Sequence, residues 1–237
     1  MPEQTPIPPK PTVYVAMPCY DSVQRDCVVS LVKMFSEFKN AQIYTKFNIV
    51  KSSLVNHARN LATCGFLNSD CSHMLFIDAD VEFEPEAIFR MLVTQKDIIC
   101  TPYRVKLKDP DQIKYPIDYG NEEKILVSPG EIVEVEQGPA GLMLIHRKVF
   151  EKLMKDYPEM KINFHGGLTQ ALDGKHMYNF WDTTFDSKKG LWKGEDLSFC
   201  DLARKAGFKL YANLASETIH HGTWGWKGKF GDTIKKI

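Results

Sequence analysis

The chain has no surplus of either charge. Thirty Lys and Arg stand against thirty Asp and Glu over 237 residues. That balance excludes a partner held by bulk charge, such as duplex nucleic acid or an anionic membrane surface. No apolar run approaches the ~18 residues of a membrane span. Met1 to Pro11 has neither an apolar stretch nor a cleavage site, so no secretory signal is expected there. No internal repeat is found. The six cysteines (Cys19, Cys27, Cys64, Cys71, Cys100 and Cys200) form no Cys-x-x-Cys pair, which argues against a zinc ribbon or a thioredoxin-type centre. They read as buried free thiols in a reducing cytosol. The chain does have an ordinary globular composition, 43% hydrophobic and 25% charged, and a length that suits one domain.

Five of the first eleven residues are proline, so 1–11 is expected to be an extended or disordered arm. From Thr12 onward, strand and helix signals alternate. Val13–Met17, Gln42–Thr45, Met74–Ile77 and Ile98–Cys100 read as strands. Helical spacing follows at Asp26–Phe38, at Ser52 or Ser53 to Leu67, and after Pro85, a residue favoured at a helix start. Ile132–Val135, Leu142–Ile145 and Lys209–Ala212 read as further strands, with helices over Val149–Tyr157 and Asp196–Ala206. The alternation predicts an α/β fold with a mostly parallel central sheet flanked by helices. Residues 158–194 are rich in Gly, Asp, His and aromatics without a clean period, and so long a stretch is often functional.

Asp78 and Asp80 end an apolar strand and, at period two, share one side at its carboxyl edge. Open α/β sheets bind ligands at that edge, and two oxygen donors there suit a hard divalent ion with positions left for phosphate. The same tripeptide could be a solvated acidic turn. Glu195-Asp196 opens a helix just after Trp192, and an aromatic face beside carboxylates suits a sugar; Asp196 could equally be a simple cap. His220-His221 could complete a metal shell, and Lys227 or Lys229 could meet a diphosphate. Asn56 and Arg59-Asn60 are expected on the exposed face of their helix, where Arg59 could bond a phosphate. The aromatics of 158–194, Trp181 and Trp192 among them, are expected at an acceptor site.

This ordered set resembles the GT-A-fold glycosyltransferases that use nucleotide sugars, most closely the small family-2-like members of large algal DNA viruses and phages. The residues that carry the resemblance are Val13–Pro18, Asn56–Asn60, Leu75–Asp80, Gly138–Ile145, Gly194-Glu195-Asp196 and His220-His221-Gly222. It spans roughly 12–225. It implies a nucleotide-binding half over about 12–100 and an acceptor half over about 130–222, within a domain covering 12–222. Pro18, Tyr20 and Asp21 would hold base and ribose with Asn56 and Arg59 nearby. Asp78 would lie near the ribose. Asp80 would hold Mn²⁺ or Mg²⁺ against the diphosphate of a donor, UDP-linked by default. Glu195 would orient the sugar, Asp196 would act as base in an inverting reaction, and Gly141 would lie on the acceptor side. The late histidine of these enzymes stands two before a glycine, which favours His220 and leaves His221 open. The glycine-rich 223–237, with Lys227, is expected to be a flexible lid. The implied setting is cytosolic, that of an infected host if the chain is viral, with a glycan acceptor.

Two other readings compete. Asp78-Ala79-Asp80-Val81 fits the motif of haloacid-dehalogenase phosphatases, with Asp78 as nucleophile, although two strand–helix units precede it and no downstream Lys and Asp set is evident. A sugar- or nucleotide-binding module without turnover is the non-enzymatic reading.

Overall fold

An eight-stranded sheet organises the chain. The computed structural model describes residues 10–109, 111–120, 127–128, 130–162 and 176–234. The expected arm before Lys10, and 163–175 of the aromatic-rich stretch, lie outside these residues. The first half runs β1 (Val13–Pro18), α1 (Arg25–Asn40), β2 (Thr45–Val50), α2 (Val55–Leu67), β3 (His73–Ile77), β4 (Val81–Phe83), α3 (Pro85–Val93) and β5 (Ile98–Cys100). The second half runs β6 (Val127–Ser128), β7 (Ile132–Val135), β8 (Leu142–His146), α4 (Arg147–Asp156), β9 (Thr184–Asp186), β10 (Leu191–Lys193), α5 (Glu195–Lys205), β11 (Leu210–Asn213), β12 (Glu217–His221) and β13 (Gly225–Lys229).

The strand order is β2-β1-β3-β8-β5-β11-β7-β6. β1 pairs in parallel with β2 and β3, and β5 with β11. β8 lies between β3 and β5, antiparallel to both. β7 opposes β11, and β6 opposes β7. All strands except β8 and β7 therefore point one way. This is the α/β sheet expected, with most of its strands sharing one direction between layers of helices.

Alternation along the strands divides the core into two layers. Val13, Val15, Met17, Leu75 and Ile77 pack with Leu31, Met34, Ile88 and Met91 of α1 and α3. Tyr14, Ala16, Met74 and Phe76 face α2, α4 and α5 through Ala62, Phe66, Phe150 and Phe199. β1 is buried along its whole length, as a strand between two helical layers must be. All six cysteines are free and all but Cys19 are buried. No helix among the described residues is long and apolar enough to cross a membrane.

Two boundaries differ from the sequence reading. β2 begins at Thr45 rather than ending there. It is an edge strand that leaves Phe47 and Ile49 half exposed, so burial did not mark it. Residues 223–234 of the segment expected as a flexible lid are docked structure instead. β13 pairs with β12, which pairs with β4. Trp226 and Phe230 are buried, and Phe230 packs on Tyr115 and Tyr119 at ring distances of 5.2 and 6.1 Å. The glycines there serve contact rather than freedom: a Cβ at Gly228 would meet Arg104 Cδ at 2.9 Å.

His73, at the start of β3, packs edge to face on His146 with 4.8 Å between ring centres. Burial first, then the charge of His146, pushes His73 down to about 4, against a smaller opposing pull from Asp97. An unfolded histidine titrates near ~6.5, so the unfolded chain binds this proton more readily. The resulting stability is fully present above that value and is lost as pH falls towards 4. Melting temperatures measured at pH 7, 5.5 and 4.5 should fall in that order, and His73→Gln should flatten the trend. An unchanged slope in the variant would assign the effect to other groups.

Candidate active site

Because β1, β2 and β3 are parallel, their carboxyl ends share one sheet edge. β3 ends there in the Asp78-Ala79-Asp80 turn. The loop after β1 reaches that turn, where Gln24 N donates to the Ala79 carbonyl at 2.9 Å. Pro18 is buried at the end of β1, while Tyr20 and Asp21 stand exposed in the loop. Asn56 is half-buried in the first turn of α2 and accepts a hydrogen bond from His57 N.

Arg59 is the first correction. It is 2% exposed and Asn60 is 4% exposed, so they lie on the buried face of α2. Arg59 Nη2 donates to both oxygens of Asp78 at 3.0 and 3.2 Å, and Nε donates to Glu195 Oε1 at 3.1 Å. Its guanidinium lies over the rings of Phe76 and Trp181. Burial alone would discharge it, but the two carboxylates outweigh burial and hold it protonated. Arg59 is thus a buried brace between the two acidic motifs, and its Nη1 has no partner among the described residues.

Asp80 faces a different set. Its Oδ2 accepts from the Lys106 ammonium, and its Oδ1 lies 3.5 Å from His220 Nε2. Burial opposes ionisation here, but the bonds from His220 and Lys106 prevail and draw the carboxyl down to about 2. His220 Nδ1 lies 2.8 Å from the Arg104 carbonyl oxygen. A carbonyl only accepts, so Nδ1 carries a proton there, and Nε2, the nitrogen facing Asp80, donates to it when protonated and offers a lone pair when not. One carboxylate and one imidazole lone pair on a shared point fit a divalent cation.

The strand register separates His220 from His221. On β12, Ile219 lies opposite Lys227 and His220 opposite Trp226. His221 and Lys227 therefore share the face away from His220. His221 bonds Glu82, and Lys227 Nζ pairs with Glu217 at 2.9 Å. Lys227 is thus not placed to meet a diphosphate beside Asp80, because the pleat turns it to the far side.

α5 begins at Glu195, with Gly194 rather than Asp196 as its N-cap. Asp196 accepts from Leu197 N at 2.8 Å. Burial, then the neighbouring Glu195 charge, raises its pKa against the opposing pulls of Leu197 N–H and Arg59. The helix terminus alone would favour the ionised form, and burial reverses that expectation.

Of the residues expected on the acceptor side, Trp181 is core. It is fully buried, stacks on Phe199 at 4.1 Å and donates to Thr63 Oγ1 at 2.9 Å. Asn60 holds that segment by accepting from Trp181 N, which turns its aromatics inward. Trp192 on β10 is 67% exposed. Gly141 is buried against Asp78 and the Tyr103 hydroxyl, and any Cβ there would collide with both. Tyr103 accepts from Gly141 N at 3.1 Å and sets its ring against that of His220. Sequence reasoning missed Tyr103 and Lys106. They follow β5 without a motif, and only the pairing of β5 beside β8 brings them to the site.

No protein-family model and no curated protein matches the chain. Among solved structures it is similar to A197 from STIV, with 16% identity, a TM-score of 0.51, and 89% of this chain and 86% of that one covered. That likeness is one of fold. A glycosyltransferase involved in the glycosylation of the major capsid of PBCV-1 is a weaker neighbour, at 11% identity and TM-score 0.35 over 65% of this chain and 68% of that one. Another is a 4-diphosphocytidyl-2C-methyl-D-erythritol synthase from Anaerococcus prevotii DSM 20548, at 8% identity and TM-score 0.33 over 82% and 99%.

Proposed function

We propose that the chain is a metal-dependent glycosyltransferase that moves a sugar from a nucleotide-sugar donor, UDP-linked by resemblance, to a hydroxyl of a glycan acceptor in a reducing cytosol. One observation carries this reading. The Asp78–Asp80 pair, the Glu195–Asp196 pair and His220, from three distant parts of the chain, stand at the carboxyl edge of β3. Asp80 and His220 are the residues that would hold Mn²⁺ or Mg²⁺. The bound ion would neutralise charge on the leaving nucleoside diphosphate, a Lewis-acid role. The Lys106 ammonium paired with Asp80 supports this reading, since a cation already sits against that carboxylate.

The other roles follow from position. Pro18, Tyr20 and Asp21 present the β1 loop to base and ribose. Asp78, held rigid by Arg59, accepts from ribose hydroxyls. Glu195 is braced by the same arginine and orients the sugar. Asp196 takes the acceptor hydroxyl's proton onto its carboxylate in an inverting reaction; in a retaining one it binds hydroxyls only. Trp192 offers an exposed face for sugar stacking.

Incubation with a panel of nucleotide sugars and Mn²⁺ tests the reading. Slow release of nucleoside diphosphate is expected. Phosphate from simple phosphoesters would indicate the phosphatase, and tight binding without turnover the module. Asp80→Ala should abolish Mn²⁺-dependent UDP binding in titration calorimetry. Binding as tight as wild type would refute the metal assignment.

A further inference from the structure

The tandem His220-His221 sends its rings to opposite faces of β12, and the second ring has a carboxylate set of its own. His221 Nε2 lies 2.7 Å from Glu82 Oε2. Asp26, in the first turn of α1, reaches the same place, and donor atoms of Asp26, Glu82 and His221 lie within 4.8 Å of one another. We propose that these three side chains form a second divalent-cation site, separate from Asp80 and His220, that takes Mn²⁺ or Zn²⁺ and braces the segments framing the candidate active site.

The donor set is selective. Two carboxylate oxygens with one imidazole nitrogen suit borderline first-row cations better than Ca²⁺ or Mg²⁺, which prefer oxygen throughout. The surrounding charge points the same way. On this flank Glu84 pairs with Lys33 at 2.8 Å, Glu86 with Arg90 at 2.9 Å and Glu217 with Lys227 at 2.9 Å. Glu82 makes no close ion pair with Lys or Arg among the described residues, although its charge reaches Lys227, and its short contact is to His221. Asp26 pairs with Arg25, but that arginine side chain is 86% exposed, and such surface pairs hold only weakly. The His221 side chain is 18% exposed and that of Glu82 30%, so a cation there would be shielded in part from water. The short His221–Glu82 contact needs a proton on Nε2. Cation binding at Nε2 would break that hydrogen bond, leave the neutral ring's proton on Nδ1 and put a metal–nitrogen bond in its place.

The placement gives the site a purpose. α1 follows the β1 loop, β4 follows the Asp78–Asp80 turn, and β12 carries His220. His221 N already bonds the Asp80 carbonyl at 2.8 Å. A cation joining Asp26, Glu82 and His221 would tie these three segments together without touching donor or acceptor. The inference does not depend on the glycosyltransferase reading.

The test uses the full chain carrying Asp80→Asn, which removes the other candidate ligand. Mn²⁺ binding is followed by electron paramagnetic resonance, and Zn²⁺ binding in a separate calorimetric titration. The single variant should bind one equivalent of Mn²⁺ or Zn²⁺, and its melting temperature should rise with that ion. Adding Glu82→Gln should abolish both effects while the far-ultraviolet circular dichroism stays unchanged, since Gln can still accept from His221. Failure of the single variant to bind either ion, or equal binding by single and double variants, would overturn the proposal. Neither outcome bears on whether nucleotide sugars are turned over, which the release assay reads separately.

Discussion

Replacing Arg59 with Met should lower the free energy of unfolding by about 3–5 kcal/mol, the usual cost of stranding buried charges. Arg59 is 2% exposed and is the shared partner of Asp78 and Glu195, whose side chains are 23% and 13% exposed. Without it the two carboxylates keep their desolvation cost and lose their counter-charge. Arg59→Lys should not rescue, because one ammonium cannot reproduce the fork of Nε and Nη2 bonds. The triple variant Arg59→Met, Asp78→Asn, Glu195→Gln should regain much of the loss, since removing a whole buried ion network is often nearly neutral. Urea denaturation with a constant m-value would measure all of these. A single-variant loss under about 1 kcal/mol, the range of a surface pair, would show that the brace does not stabilise the fold.

Asp196→Asn should keep donor binding and reduce transfer by ~100-fold or more if the reaction inverts, within the range for losing a general base. Its raised pKa makes Asp196 a stronger base than a surface aspartate, and it shifts the acid limb of kcat upward. Stability should not fall. Asn can still accept from Leu197 N, Gly194 rather than this residue caps α5, and the substitution removes a charge that burial and Glu195 penalise. Near wild-type transfer would rule out the base role, and the anomeric configuration of the product by NMR would then separate a retaining reaction from a different base.

Much of this was readable from period and composition. β1 and β5 are buried along their length, and β3 and β8 at all but a terminal histidine, so continuous apolar runs announced them. Pro85 marked the start of α3, where it stands at the first position. The acidic motifs were visible by their positions, at the end of an apolar strand and at the start of a helix, although carboxylates that open a helix are also common caps. What stayed hidden depended on long-range pairing. Arg59 looked exposed because a charged residue on a helix usually is, and only a partner far along the chain makes its burial tolerable. Trp181 looked functional because its neighbours lack a period, yet irregular segments also bury aromatics when a side chain such as Asn60 satisfies their backbone. The β4-β12-β13 sheet is short and mixed in polarity, so the Gly and Lys of β13 suggested a loose tail.

The contact at Gly141 bears on how this chain can vary. Its α-carbon lies so close to Asp78 and Tyr103 that the smallest side chain would have to evict both. Selection at this position therefore acts on volume, although glycine brings no functional group. Random mutagenesis screened for folded, active protein should find neighbouring Leu142 and Met143 open to other apolar residues of similar size, while position 141 returns glycine alone.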